Sequence, residues 1–424
     1  MTTFTAEAYQ NEYLPAGGGE VNAVVTVTAS GAAPAATSTQ AAEIIIIDVS
    51  GSMAPRAKLK AATRATAVAI DCIRDGVMFG VIAGNDTARA VYPSAGALAP
   101  ASPQTREQAK HAVARLKATG GTAIGSWLAL ANELFAATPE AIRHAILLTD
   151  GQDEHETHED LEAILADCEG SFQCDCRGVG TDWEVQELRR IATTLLGTVD
   201  IVAEPADLED DFQAIIERAM GKAIGDVSLR LWTPQGATAA FLKQVAPAIE
   251  ELTSRASAVD TLTVDYPTGA WGDESRDYHL CIHVQPRAVG EEMLAGRVSL
   301  MVDGEAISQA LIRAIWTDDE QLSTRINHEV AHYTGQAELA DAIQEGLEAR
   351  KQGDEHTATF KLGRAVQLAA AAGNSDTMKL LEGVVDVQDP HTGTVRLKHR
   401  VPDANEMALD TRSTKTVRVR KEGS

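Results

Sequence analysis

The chain has 424 residues, of which 44% are hydrophobic, and its formal net charge is -24. This length exceeds what one hydrophobic core normally supports, so we expect two or three domains. The acidic balance argues against nucleic-acid binding, because phosphate neutralisation requires clustered Lys and Arg. There is no apolar run of ~20 residues and no signal-peptide pattern at the start, so we expect a cytoplasmic protein without membrane association.

Residues 1–41 contain one segment with strand character, Val21–Thr28, in which β-branched residues dominate. Similar segments occur after residue 226. We therefore predict that residues 1–41 pair with a β-sandwich formed by those later segments, with another domain inserted between the two parts. A separate N-terminal arm is the alternative.

The strongest signal in the chain is the aliphatic run 44–47, which ends in Asp48, Ser50 and Ser52. An unbroken aliphatic run predicts a strand that is covered by helices on both faces of a parallel sheet. Open α/β sheets bind their ligands just beyond the carboxyl ends of such strands. Hard oxygens that include one or two carboxylates suit Mg²⁺ or Mn²⁺.

Two later segments offer further oxygen donors at strand or helix ends. Thr122 follows two glycines in a loop, and a second apolar strand, 146–149, leads into Asp150. A D-x-S-x-S sequence on its own also occurs where its Asp and Ser cap a helix. The combination of the three segments favours a metal site.

These segments resemble the metal-ion-dependent adhesion site of the von Willebrand factor A domain family, in which D-x-S-x-S is followed by a Thr and then an Asp. The pattern is complete in this chain, and its metal-site residues are Asp48, Ser50, Ser52, Thr122 and Asp150. The resemblance implies that the two serines and Thr122 contact the ion directly, and that the aspartates bind it directly or through water. It further implies Mg²⁺, or else Mn²⁺ or Ca²⁺, and no catalytic residue.

The same resemblance implies a function in binding. A protein partner would supply an Asp or Glu that completes the coordination of the ion. Bacterial proteins that resemble this chain act as scaffolds in this way. The same domain is also found in regulatory subunits of chelatases and MoxR-type ATPases, which is an alternative function.

Residues 42–222 alternate between strand and helix patterns, which predicts an α/β fold with a doubly wound, mostly parallel sheet. Helices are expected on both faces of this sheet, as in a Rossmann-like fold. The turn after the strand 172–179 also resembles the family, so the resemblance covers roughly residues 42–220. The predicted helices are 58–74, 103–117, 123–136, 159–167, 183–192 and 208–220.

Three further regions are predicted after the α/β domain. Residues 226–318 show period-2 patterning, which predicts an antiparallel β-sandwich. Residues 319–385 predict a helical hairpin similar to a tetratricopeptide unit, which must pack on the sandwich or on another chain. Residues 386–424 are interpreted as a basic tail, because residues 391–424 contain eight Lys or Arg and four acids. Such a tail could dock on the acidic remainder of the chain or on an acidic partner, and a solvated end is the alternative.

Three other features of the sequence carry weaker signals. His328, Glu329 and His332 match the H-E-x-x-H pattern of zinc hydrolases, an alternative we consider inferior because Asn327 and Tyr333 flank it where such helices are apolar. The acidic segment that contains Asp153 and Glu154 is interpreted as a solvated loop. The five cysteines do not indicate disulfides, and those at 168, 174 and 176 are interpreted as small buried side chains.

Overall fold

The computed structural model describes residues 2–31, 41–54, 56–152 and 155–418. The described residues separate into two units. One lies between residues 41 and 225, and the other combines 2–31 with 226–418. The unit at residues 41–225 is therefore inserted in the sequence of the other unit.

Three strands precede the α/β unit: β1 (Thr3–Gln10), β2 (Tyr13–Pro15) and β3 (Glu20–Ser30). The long strand β3 has apolar residues buried on its inner face and alternates with half-exposed polar residues over much of its length. Each of the three strands joins a sheet that also contains strands from after residue 226.

The described residues of the α/β unit form seven strands and six α-helices. Its strands are β4 (Ala41–Asp48), β5 (Met78–Gly84), β6 (Ala88–Tyr92), β7 (Ala99–Pro100), β8 (Ile142–Thr149), β9 (Gln173–Val179) and β10 (Val199–Val202). Its helices are α1 (Arg56–Cys72), α2 (Pro103–Val113), α3 (Ile124–Phe135), α4 (His158–Cys168), α5 (Val185–Thr194) and α6 (Leu208–Met220).

The sheet of this unit has the order β10-β9-β8-β4-β5-β6, with β7 paired to β5. Its strands are parallel except for β6 and β7, which run antiparallel to β5. The four isoleucines of β4 are completely buried, because helices cover both faces of the central strand. Strands β4 and β8 lie side by side and end at the same edge, and this adjacency positions the candidate site.

The second unit continues with eight strands: β11 (Val227–Trp232), β12 (Thr238–Ala246), β13 (Glu250–Glu251), β14 (Ser257–Asp260), β15 (Thr263–Pro267), β16 (Glu274–His283), β17 (Glu292–Val302) and β18 (Glu305–Thr317). One sheet has the order β1-β3-β16-β12-β13, and the other has the order β14-β15-β11-β17-β18-β2. The two sheets face each other, since a methyl group built on Gly296 of β17 would lie 2.6 Å from the Ile282 side chain of β16.

The C-terminal part of this unit is helical and then returns to strand. It contains α7 (Glu320–Ser323), α8 (His328–Lys351), α9 (Glu355–Ala371), α10 (Ser375–Val384), β19 (Val385–Asp389), β20 (Thr394–Leu397) and α11 (Asp403–Arg412). The predicted fold class, an α/β domain with additional antiparallel sheets and a C-terminal helical region, is confirmed.

Of the two interpretations of the basic tail, residues 386–424, the solvated end was wrong for the residues described, whereas a segment docked on the chain's own acidic residues agrees with the 2.9 Å contact between Arg418 and Asp277. Val395 and Leu409 from this region are buried in one core with Ile343, Leu362 and Leu381 of the preceding helices. Residues beyond α11 are also bound: the backbone N–H of Ile249 donates to Thr414 O at 2.8 Å, and that of Thr416 donates to Pro247 O at 3.1 Å. Buried apolar residues and backbone hydrogen bonds together hold this segment on the rest of its unit.

Candidate metal centre

Asp48 and Asp150 come together because β4 and β8 are parallel neighbours. The register pairs Ile47 with Leu148, so that Asp48 lies beside Thr149 and one residue from Asp150. The side chains of both aspartates are at the carboxyl edge of the sheet, and both residues are 0% exposed. Two buried carboxylates in such proximity repel each other and favour a nearby cation.

The carboxylate of Asp48 is held by the protein on both of its oxygens. Oδ1 accepts the backbone N–H of Ser50 at 2.7 Å. Oδ2 accepts the Thr149 hydroxyl at 2.6 Å and the backbone N–H of Asp150 at 3.3 Å. Burial raises the pKa of Asp48 above its ordinary value, and the hydrogen bonds from Ser50 and Thr149 act in the opposite direction.

The two serines connect the turn after β4 to Asp150. The hydroxyl oxygens of Ser50 and Ser52 are 2.8 Å apart. Ser52 Oγ in turn donates to Asp150 Oδ1 at 2.6 Å. Hydroxyl and carboxylate oxygens therefore form a continuous row along the edge of the sheet.

Thr122 reaches the same place through a loop that is tied to the turn after β4. The backbone N–H of Gly51 donates to Gly120 O at 2.8 Å, and that of Thr119 donates to Val49 O at 2.7 Å. A methyl group built on Gly151 would lie 3.3 Å from Thr122 Oγ1 and 3.4 Å from Ser52 Oγ. The hydroxyls of Thr122 and Ser52 thus flank Gly151, and the five residues selected from the sequence converge at one site.

Lys58 of α1 belongs to the site although the sequence analysis did not select it. Its ammonium group lies 2.6 Å from Asp150 Oδ2 and 3.1 Å from Asp182 Oδ2. Lys58 lies in the first turn of α1, where the helix dipole disfavours a cation and where α1 has no acidic residue. A lysine at this position could have been expected to have an acidic partner elsewhere in the fold.

His155 and Glu156, from the acidic segment, pack on the loop that carries Thr122. The Glu156 carboxylate accepts the backbone N–H groups of Gly125 and Ser126 at 2.6 and 2.8 Å, so it caps α3 in place of a local capping residue. A methyl group on Gly121 would overlap the His155 ring. Glu156 is therefore more than part of a solvated loop, whereas His155 is exposed, as the interpretation of this segment expected. Asp153 and Glu154 lie outside the described residues.

The donor set fits a hard divalent cation. Its atoms are hydroxyl and carboxylate oxygens, which Mg²⁺ and Mn²⁺ prefer, and both carboxylates are buried. In the described part of the chain, no three His, Cys, Asp or Glu side chains gather in a way that would hold a metal.

The H-E-x-x-H residues lie at the start of α8. The His328 and His332 rings are stacked with their centroids 6.5 Å apart, and His332 Nε2 lies 2.6 Å from the carbonyl oxygen of Val417. Tyr333, next to them, is buried and donates its hydroxyl to Asp277 Oδ2 at 2.5 Å. His332 and Tyr333 thus have contacts that attach α8 to the rest of its unit.

Comparison with known proteins places the chain in a family. The model of the von Willebrand factor type A domain matches residues 42–201, and that of the von Willebrand factor type A C-terminal domain matches residues 367–413. A solved structure, the von Willebrand factor type A from Catenulispora acidiphila, shares 52% identity over 98% of this chain and 97% of its own, with a TM-score of 0.94. The chain belongs to the von Willebrand factor type A family, whose members commonly mediate metal-dependent protein interactions.

More distant structures share the fold. The ArnB paralog VWA2 from Sulfolobus acidocaldarius has 14% identity and a TM-score of 0.60, over 97% of this chain and 98% of its own. The human COPII-coat protein Sec24c has 11% identity and a TM-score of 0.55, over 89% of this chain and 57% of its own. No curated protein matches the chain. Among the helices in the described ranges, none is both long and apolar enough to cross a bilayer.

Proposed function

We propose that this protein binds a divalent cation, Mg²⁺ in the first place and otherwise Mn²⁺ or Ca²⁺, with Asp48, Ser50, Ser52, Thr122 and Asp150. The observation that supports this most strongly is the row of oxygens from Ser50 through Ser52 to Asp150, with successive distances of 2.8 and 2.6 Å. Thr122 joins this row from a separate loop. Each of these groups is an oxygen ligand of the kind these cations prefer.

The bound cation serves to capture a protein partner. Hydroxyl ligands are neutral, so the centre supplies two negative charges at most and leaves a dication attractive to one more anionic ligand. A carboxylate from an Asp or Glu of the partner meets this requirement. The protein acts as a binding module or scaffold without catalysis of its own, and with neither nucleic acid nor membrane as its target.

The experiment that tests this function compares the wild type with Asp48→Ala. Mg²⁺ binding is measured by calorimetry, and partner capture is measured by co-purification from the native cell with and without EDTA. We expect Asp48→Ala and EDTA to abolish the same set of captured proteins, while circular dichroism shows a folded variant. Capture that persists in both conditions would refute the proposal.

Asp200→Ala is a matched control for this experiment. Asp200 lies in β10 of the same unit, which is separated from β4 by two strands, and it is half-buried. The control removes one carboxylate from the same sheet without touching the candidate ligands. It is expected to bind Mg²⁺ and capture partners as the wild type does.

A further inference from the structure

Lys58 gives the candidate centre a cation of its own. Its Nζ lies 2.6 Å from Asp150 Oδ2, and the other oxygen of the same carboxylate, Oδ1, accepts the Ser52 hydroxyl. Both oxygens of Asp150 are therefore engaged. A metal ion that used Asp150 would compete directly with the ammonium group for the same negative charge.

A second acceptor for Lys58 lies further out. Asp182 Oδ2 is 3.1 Å from Nζ, and the exposed fractions of the side chains rise from 0% for Asp150 through 20% for Lys58 to 69% for Asp182. Asp182 is on the turn after β9, which is held by the hydrogen bond from Trp183 Nε1 to Gly180 O at 3.0 Å. The lysine thus contacts a buried carboxylate, Asp150, and an exposed carboxylate, Asp182, which lies on a hydrogen-bonded turn.

The charges around Asp150 differ between the metal-free and the metal-bound centre. Without a metal, the buried carboxylates of Asp48 and Asp150 would be stabilised by a positive charge, and the Lys58 ammonium supplies one by its contact with Asp150. A dication held by Asp150 would repel the same ammonium group. The long flexible side chain of lysine allows it to retain Asp182 while it releases Asp150.

We infer that Lys58 is an internal counter-cation that stabilises the metal-free centre, moves from Asp150 to Asp182 when a divalent cation is bound, and thereby weakens the affinity for that cation. This inference rests on the proposed function. It adds a regulatory property: the protein stays folded when the metal is absent, and the centre is occupied only when the free cation is abundant. Lys58 is a positioning residue in this arrangement and does not ligate the metal.

The test uses the full chain and three single variants. Lys58→Met removes the ammonium and keeps the length of the side chain. Asp182→Asn removes the outer acceptor. Lys60→Met is the matched control, because Lys60 is an exposed lysine of the same helix, two residues away. Mg²⁺ affinity is measured by calorimetry, and the melting temperature is measured in EDTA.

For Lys58→Met, we expect Mg²⁺ to bind about tenfold more tightly than to the wild type and the melting temperature in EDTA to fall. Lys60→Met should change neither quantity. Unchanged or weaker Mg²⁺ affinity in Lys58→Met, or an unchanged melting temperature in EDTA, would overturn the inference. If Lys58→Met does not fold in EDTA, folding restored by saturating Mg²⁺ supports it and failure to restore folding overturns it.

Asp182→Asn distinguishes the movement of Lys58 from a general effect of charge. We expect the variant to bind Mg²⁺ several-fold more weakly, since the ammonium has lost its second acceptor, and we expect this effect to disappear in the Lys58→Met background. An equal loss in both backgrounds would refute the movement. If the proposed function is wrong, neither the wild type nor Lys58→Met will bind Mg²⁺. That result would overturn the inference together with the proposed function.

Discussion

At the scale of single residues, Thr149 is the side chain that fixes the orientation of Asp48. Its hydroxyl donates to Asp48 Oδ2 at 2.6 Å, and both residues are fully buried. The usual pattern around metal sites is that such a supporting hydrogen bond orients the ligand and sets its basicity. Thr149 therefore contributes to the centre without belonging to the five candidate ligands.

We expect Thr149→Val to weaken Mg²⁺ binding by about 10- to 100-fold. The substitution keeps the shape of the side chain and leaves a buried carboxylate oxygen short of one donor, which costs about 1–3 kcal/mol of stability. Calorimetric titration with Mg²⁺ and urea unfolding measure the two effects. The control is Thr66→Val, because Thr66 is a buried threonine of α1 whose hydroxyl donates to Ala62 O at 2.8 Å. Equal Mg²⁺ affinities in the two variants would contradict the role of Thr149.

A second group of charged residues lies among the central strands of the α/β unit. His144 Nδ1 is 2.9 Å from Glu43 Oε1, and His144 Nε2 is 3.2 Å from Asp175 Oδ2. Burial would lower the pKa of His144, but the two carboxylates outweigh it and raise the pKa to about 10. The imidazole is therefore charged at neutral pH and holds three strands together.

The raised pKa of His144 predicts how stability depends on pH. The folded protein binds this proton more tightly than the unfolded chain, in which the pKa is about 6.5. The stabilisation is fully present below pH ~6.5 and is lost as the pH rises towards ~10. We expect His144→Gln to lose about 3 kcal/mol or more at pH 7, because two buried carboxylates lose their partner. We also expect the difference from the wild type to shrink between pH 7 and 10.

Urea unfolding of both proteins at several pH values measures this difference, and titrating groups that do not interact with His144 cancel because they are common to both. A difference that stays constant from pH 7 to 10 would show that His144 is not charged in the folded state.

At the scale of elements, the strands that bear the candidate ligands were the easiest to predict. The aliphatic runs that precede Asp48 and Asp150 are buried on both faces, and the two strands are parallel neighbours. Burial of this kind leaves an unambiguous pattern in the sequence. The position of Asp48 and Asp150 at the ends of these strands then follows from the fold, whereas the complete set of five residues was selected through the resemblance to the family pattern.

Other elements left a weaker pattern. Strand β12 was not predicted, and its pairing with β16 has two register shifts, between Ala239 and Phe241 and between Gln244 and Ala246. A bulge moves the following residues to the opposite face and breaks the period-2 alternation. The contacts of Lys58 and Glu156 were also not predictable from spacing, because each reaches its partner across the fold.

The helix α3 provides a test at this scale. Its first turn receives its cap from Glu156, which accepts the backbone N–H groups of Gly125 and Ser126. Thr122 lies just before this turn. We expect Glu156→Ala to lower stability by about 0.5–2 kcal/mol, as for other lost caps, and to weaken Mg²⁺ binding because the loop with Thr122 loses an anchor. The exposed Glu159→Ala is the control of equal charge, and identical Mg²⁺ affinities in the two variants would rule out the anchoring role.

At the scale of the whole molecule, the two ends of the α/β unit are adjacent. Ala41 pairs with Ile142 at the beginning of the sheet, and a methyl group built on Gly225 would lie 3.1 Å from Ile142 Cγ1. A unit whose ends meet can be inserted into another domain without disturbing it. The sequence indicated this arrangement through the resemblance of Val21–Thr28 to the later strands, and β3 lies between β1 and β16.

The region after residue 386 was less predictable at this scale. Its charges favoured a solvated tail, and only a few apolar residues, among them Val395 and Leu409, are buried in the core of the preceding helices. The composition of this segment alone does not predict these contacts, because they depend on the apolar surface of the preceding helices.

We expect residues 41–225 to fold alone, with a single cooperative thermal transition, and to bind Mg²⁺ with an affinity within about twofold of that of the full chain, because all five candidate ligands and Lys58 lie in this unit. Thermal unfolding and calorimetry measure the two properties. The same fragment with Asp48→Ala is the control and should fold without binding Mg²⁺. A wild-type fragment that is folded but binds no Mg²⁺ would show that the site needs the rest of the chain.

The central claim is that five oxygen-bearing side chains from three separate segments hold one divalent cation. The most direct measurement is the anomalous diffraction of manganese in crystals of the full chain grown with Mn²⁺. We expect one dominant peak, bounded by Ser50, Ser52 and Thr122 at the carboxyl edge of the sheet. No peak at that edge, or a dominant peak elsewhere in the molecule, would contradict the claim.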